Sequence, residues 1–273
     1  MLDDAVHLLA CPHCGGPLTR SAGSVTCPNG HSFDVARSGY LSLLPGDAKL
    51  GSADTAEMVA AREAFLGAGH FEPLAEALAE EAVRAAPPPG CVLDLGAGTG
   101  WYLARVLDRL PGRPGLALDL SKHALRRAAR AHPRIAAVAC DAWHPLPVRD
   151  RVAALVLSVF APRNGPEIAR VLQPGGTLLV VTPTGRHLAE LVERLGLLTV
   201  DERKEERLAA TLDAHLDLRR RVEYEWTLDL AREDVANAVA MGPSARHVGP
   251  RAAESGATVT ASFAISIYRR TLR

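Results

Sequence analysis

Val92-Leu93-Asp94-Leu95-Gly96-Ala97-Gly98-Thr99-Gly100-Trp101 decides how the rest of the chain is read. Val92-Leu93-Asp94-Leu95 is a short buried strand, and a helix opens at Trp101. Between them, glycines at alternate positions let the backbone turn sharply and come close to a ligand. The G-x-G-x-G spacing departs from the dinucleotide fingerprint G-x-G-x-x-G, and taken alone it is a weak signal.

The flanking sequence strengthens it. A second strand, 116–120, carries Asp119 at its tip, 23 residues after Gly96, where a carboxylate can accept hydrogen bonds from ribose hydroxyls. A third, near 136–139, runs into Cys140-Asp141-Ala142, a place for an acid or amide to meet an adenine amino group. A fourth, 153–160, ends in Ala161-Pro162, and Leu172-Gln173-Pro174-Gly175-Gly176 turns sharply into a fifth, 177–182. Short apolar strands alternating with helices specify an α/β fold with a parallel sheet. Further on, Val222, Tyr224, Trp226 and Leu228 alternate with polar neighbours, as do Val259, Ala261, Phe263, Ile265 and Ile267, which marks two more strands. The stretch 185–218 reads as helical and is expected to lie over a cofactor or substrate.

Upstream stands a different kind of module. Cys11-Pro12-His13-Cys14 and Cys27-Pro28-Asn29-Gly30-His31 give C-x2-C-x12-C-x3-H. Each half is a tight turn, and the spacer is a short hairpin that brings the halves together. Three thiols and an imidazole at this spacing suit tetrahedral Zn2+, with Cys11, Cys14, Cys27 and His31 as ligands. His13, inside the first turn, is expected to point away from the pair. Four protein ligands leave the metal no open position, so the zinc is structural and the module serves recognition or docking. Phe33, Arg37 and Tyr40 follow; either the aromatics stack bases while Arg37 binds phosphate, or the segment is the hydrophobic plug of a module too small for its own core. Two helical stretches, 53–66 and 72–86, then lead to the sheet. The organisation expected is a zinc-binding recognition module at 1–45, a helical linker at 46–86 and the α/β domain at 87–273.

Composition sets the outer limits. Of 273 residues, 48% are hydrophobic and 23% charged, enough for a core. No apolar run approaches the roughly 18–20 residues of a membrane span. Met1-Leu2-Asp3-Asp4 lacks the basic start of a signal peptide, so a cytoplasmic protein is expected. Thirty-one basic residues balance 31 acidic ones; bulk charge announces no nucleic acid, although distribution still can. The bases are nearly all arginine, which reflects either phosphate binding or simply an Ala-, Arg- and Pro-rich composition. Lys122, Arg126 and Arg130 recur every fourth residue on one helix, either a basic stripe or an ordinary solvated face.

Over 92–183 the pattern resembles the class I S-adenosylmethionine-dependent methyltransferases: an acidic first strand, D-x-G-x-G-x-G, an acidic second strand, and L-x-P-G-G before strand five. That class has a Rossmann-like, seven-stranded mixed sheet closed by an antiparallel pair, as the two terminal strands suggest. The composite is more specific. With the cysteine module come Gly39-Tyr40-Leu41-x-Leu43-Leu44-Pro45, Arg62-x-Ala64-Phe65-Leu66-x-Ala68-Gly69-His70, Ala161-Pro162 and Thr182-Pro183-x-Gly185-Arg186-His187-Leu188. Together these resemble, over essentially the whole length, the bacterial 23S rRNA (guanine-N1)-methyltransferases, the RlmA group. The composition favours the type II branch, with the tylosin- and mycinamicin-resistance enzymes, which modifies guanine 748 in the loop of hairpin 35; the other branch modifies guanine 745.

The resemblance implies S-adenosylmethionine as cofactor. Asp94, Gly96, Gly98, Thr99 and Gly100 would form its cradle, with Gly98 and Thr99 on the methionine side. Asp119 would take the ribose and Asp141 would lie by the base, while Phe71 and His187 would close over the cofactor. Read on their own residues, Phe71 is more at home in a core than as a cofactor lid, and His187 is open between the two roles. Arg163 departs from relatives that carry cysteine there, which puts any catalytic role at that position in doubt. Guanine N1 bears a proton, so a base is needed; Asp34, Asp141 and His187 are the candidates, and none is singled out. The implied partner is hairpin 35 of 23S rRNA, bound by a homodimer that pools two zinc modules. A small-molecule methyltransferase is the competing reading.

Overall fold

The computed structural model describes residues 2–21, 23–46, 48, 51, 53–85, 87–197, 210–242 and 255–270. Three short strands, β1 (Thr19–Ser21), β2 (Ser24–Thr26) and β3 (Ser32–Asp34), form an antiparallel sheet of their own. Strand β4 (Leu41–Ser42) leaves that module and pairs in parallel with β7 (Ile135–Ala139). The main sheet holds β5 (Cys91–Leu95), β6 (Gly115–Asp119), β7, β8 (Ala153–Val159), β9 (Leu172–Pro183), β10 (Leu216–Leu230) and β11 (Ala257–Arg270). Its order is β10-β11-β9-β8-β5-β6-β7-β4. The seven expected strands are there, with β10 and β11 antiparallel at one edge, and β4 adds an eighth at the other.

Hydropathy explains the middle of the sheet. All residues of β5, β7 and β8 are buried, as continuous apolar strands covered on both faces must be. After α1 (Leu2–Ala5) come helices α2 (Ala56–Gly67), α3 (Glu72–Arg84), α4 (Trp101–Arg109) and α5 (Lys122–Ala131), with α6 (Gly165–Val171) between β8 and β9. Thr55 accepts from Met58 N, Ser121 accepts from Ala124 N, and Pro73 occupies the first turn of α3. Phe65, Leu74, Leu78, Leu103 and Leu107, fully buried, fill one face of the sheet.

The other face is shared. Leu8, Leu9, Phe33 and Leu41 of the amino-terminal region pack in one cluster with Leu93, Val138 and Val148. Ala10 N donates to Pro147 O and Arg149 N to Leu8 O, which stitches the cysteine module to the sheet. Phe33 is buried and Tyr40 packs on the core, so this segment plugs a small module, while Arg37 stays exposed. Within 185–218 the helix α7 runs Ala189–Leu195, but Leu216–Leu218 already belongs to β10, paired with Tyr268–Arg270. The helical expectation fails there because the strand pair is longer than its alternation suggests. Residues 210–213 are helical as expected, and 198–209 lie outside the described residues.

Candidate functional site

The zinc donors come from two knuckles. Cys11 O accepts from Gly15 N and Cys11 N donates to Gly16 O; Cys27 O accepts from Gly30 N and Cys27 N donates to His31 O. Gly15 and Gly30 supply the positive φ, 68° and 82°, that such tight turns require. The donor atoms of Cys11, Cys14, Cys27 and His31 all lie within 4.8 Å of one another. Cys14 Sγ and Cys27 Sγ are 3.8 Å apart, and His31 Nδ1 lies 3.5 and 3.2 Å from Cys11 Sγ and Cys27 Sγ. Two sulfurs each about 2.3 Å from a tetrahedral centre are separated by about 3.8 Å, and a disulfide by about 2.05 Å; the set fits a metal, not a bond. The Gly16 amide draws the Cys14 thiol down to about 6, toward the thiolate a metal needs. His13 stays outside the donor set. Its ring does not swing clear of the site; it lies against His31 and stacks on Phe33.

The second site forms at the carboxyl ends of the parallel strands, where ligands of open α/β sheets sit. Gly96, Gly98 and Gly100 have φ of 74°, 55° and 75°. A Cβ on Gly96 would stand 2.6 Å from Ala161 Cβ, and one on Gly100 3.1 Å from Ala128, so these two glycines let the loop seat against β8 and α5. At Gly98 the same direction is occupied by the Arg62 guanidinium at 3.5 Å. Asp119 Oδ2 accepts from Gly98 N at 2.8 Å and Oδ1 from Ser121 N at 2.7 Å, which fixes the carboxylate across the loop. Thr99 is buried, and Asp94 is 2% exposed, its Oδ1 without a hydrogen-bond partner among the described residues. Burial, reinforced by the Asp119 charge, pushes Asp94 up to about 8. A buried acceptor without a partner beside a glycine loop fits a cationic, hydrogen-bonding group such as S-adenosylmethionine.

Asp141 follows β7; its Oδ1 accepts from Trp143 N at 2.9 Å, and Trp143 is 60% exposed. Phe71 and His187 lie together with Phe263, ring centroids 5.9 and 4.3 Å from His187. Phe71 is 2% exposed, so its core character is real. His187 accepts from Ser262 N through Nδ1, and burial lowers its pKa to about 4, which keeps the ring neutral. Asp34 sits exposed on β3 of the zinc module, and Arg163 is buried.

Two neighbours of this site escape a sequence reading. Arg62 pairs with Asp54 and donates to Met241 O at 2.9 Å, binding α2 to the helix Arg232–Ala240 over the loop; no local spacing betrays a contact 179 residues long. Phe160, at the end of β8, has φ 55° and is 46% exposed among Tyr102 and Phe263. Left-handed backbone in an aromatic residue is strained, and strain of this kind collects at functional sites.

A zinc knuckle set in the amino-terminal module and a glycine loop with two strand-tip acids define a class I S-adenosylmethionine-dependent methyltransferase carrying a structural zinc ribbon. Comparison with known proteins agrees: residues 9–51 match the zinc-ribbon family described as "RlmA, N-terminal", and residues 92–176 match "Methyltransferase domain". The chain is 49% identical over 98% of its length to a protein of Micromonospora griseorubida bearing the name 23S rRNA (guanine-N(1)-)-methyltransferase, 99% of which is covered. It is 53% identical over 92% of its length to the 23S rRNA (guanine(748)-N(1))-methyltransferase of Streptomyces fradiae, covering 90% of that protein. The chain therefore belongs to the 23S rRNA (guanine-N1)-methyltransferase family. Among solved structures, the YcgJ protein of Bacillus subtilis shares the fold, at TM-score 0.50 and 14% identity over 72% of this chain and 99% of that one. No helix among the described residues is long and apolar enough to cross a membrane.

Proposed function

We propose that this protein methylates N1 of guanine 748 in the loop of hairpin 35 of 23S rRNA and so contributes to resistance to macrolides such as tylosin. The observation that carries the reading is the 53% identity to a guanine-748 enzyme, spanning both the zinc ribbon and the methyltransferase core. Cys11, Cys14, Cys27 and His31 hold zinc. Asp94, Gly96, Gly98, Thr99, Gly100, Asp119 and Asp141 would hold the cofactor, and Phe71 and His187 would close over it. When bound, S-adenosylmethionine supplies a methyl group already activated on sulfonium sulfur, so the protein contributes chiefly alignment.

N1 lies on the pairing edge of guanine and carries a proton, so the guanine must be unpaired or flipped to present it, and a general base must take that proton as the N1–methyl bond forms. Phe160, exposed and strained at the rim, offers a ring on which the guanine stacks. A homodimer fits the need of a small ribbon to grip a folded hairpin, because pooling two modules raises effective concentration.

The test is the chemical identity of the product. After incubation with S-adenosylmethionine, 23S rRNA digested to nucleosides should contain 1-methylguanosine. Methyl transfer to another guanine atom, or only to a small-molecule acceptor, would overturn the reading.

A further inference from the structure

Much of the arginine in this charge-balanced chain is spent on carboxylates: Arg20 pairs with Asp3, Arg105 with Glu72, Arg186 with Glu225 and Arg219 with Asp217. Helix α5 breaks that habit. Its sequence, KHALRRAARA, holds no acid. Arg127 reaches back to Glu63, but Lys122, Arg126 and Arg130 are exposed. Among the described residues their side chains have neither an ion pair nor a hydrogen bond. Four-residue spacing puts each about 6 Å along the axis from the next, on one face of the helix.

Position gives the row its meaning. Its first turn is capped by Ser121, whose amide is held by Asp119 at the cofactor site. Near its other end, the Cβ direction of Gly39 points at Ala129 Cβ, 3.6 Å away. That contact seats on α5 the turn closed by Ala36 N donating to Tyr40 O. The same turn carries Arg37, exposed and likewise without a partner among the described residues. Arg37 thus sits at the ribbon end of α5, and Arg130, Arg126 and Lys122 continue along the exposed face of the helix toward Ser121 and Asp119.

We propose that these four residues are a track for the sugar–phosphate backbone of the RNA strand that leads from the ribbon to the target base. The proposal rests on the rRNA reading above and deepens it by saying where the strand runs. Evenly spaced, uncompensated cations suit phosphates, which fix register without reading sequence.

The full-length protein and a transcript spanning hairpin 35 provide the test. Affinity is measured across a salt series for wild type, for the triple variant Lys122→Ala, Arg126→Ala, Arg130→Ala, and for a charge-matched control, Arg84→Ala, Arg219→Ala, Arg221→Ala. The control arginines lie away from α5: Arg84 and Arg219 line a cavity with Gly175, and Arg221 pairs with Ser266 of β11. Alanine favours helix, so the triple variant keeps its fold. Its slope of log affinity against log salt should be shallower by roughly 2, at about 0.7 per phosphate of a single strand. The control should match wild type, and cofactor affinity should be equal in all three.

An unchanged slope in the triple variant, or an equal change in the control, overturns the track. So does a triple variant that methylates the naked transcript normally but fails on the ribosomal particle, which would assign the row to an acidic protein surface. A wild type that shows the expected salt dependence yet leaves the RNA unmethylated would overturn the functional reading and leave the track standing.

Discussion

Asp94 is a carboxylate in a place that opposes its charge. Burial and Asp119 hold its pKa near 8, whereas an unfolded aspartate releases its proton near about 4. Between those values the folded state binds more protons, so this group's contribution to stability falls as pH rises. Asp94→Asn should therefore unfold at a higher temperature than wild type near pH 8, with a smaller gap near pH 5, while binding S-adenosylmethionine more weakly. Thermal unfolding across pH, paired with calorimetric titration, checks both halves; unaltered cofactor affinity would remove Asp94 from the site. For Phe160, loss of a base-stacking ring is worth about 1–3 kcal/mol. Phe160→Ala should raise KM for RNA roughly tenfold, Phe160→Tyr should restore it, and the cofactor Kd should stay put. Asp94 and Asp119 are legible from sequence because a strand tip is a fixed place and the chemistry there favours acids. Phe160 is not, since its significance lies in a φ value that no spacing encodes, and Arg62 is not, since its partners come from distant segments.

At the scale of elements, the zinc ribbon and the sheet edge are one piece of packing. The knuckles position β1 to β3, and the chain then runs on into β4, which completes the main sheet beside β7. Sequence reading finds the ribbon because its ligands are local. It does not anticipate β4, because a two-residue strand has no periodicity to read. Substituting Cys11→Ser should release zinc and abolish RNA methylation while cofactor binding largely survives, since the glycine loop is built from β5, β6 and α5. Metal content by atomic absorption, cofactor titration and methyl transfer are the three readouts. Because Leu9 and Leu41 share a core with Leu93 and Val138, the same variant should also lower Tm by several degrees. Methylation that persists without zinc would deny the ribbon a role in recognition.

The whole molecule joins a ribbon with its own three-stranded sheet, a helix whose exposed Lys122, Arg126 and Arg130 are unpaired among the described residues, and a glycine-loop site at the carboxyl ends of the parallel strands. That arrangement suits a folded RNA whose backbone is held away from the base that reacts. The general class and the cofactor cradle follow from a strand, three glycines and two acids, while the path between ribbon and cleft emerges only when Gly39 is seen against Ala129. Primer extension on 23S rRNA, after incubation with the protein with and without S-adenosylmethionine, tests the central claim most directly. An N1 methyl blocks the pairing edge, so reverse transcriptase should halt beside guanine 748 only when the cofactor is present. A halt at guanine 745 would contradict the assigned position, and no cofactor-dependent halt on naked rRNA or ribosomal particles would contradict the assigned substrate.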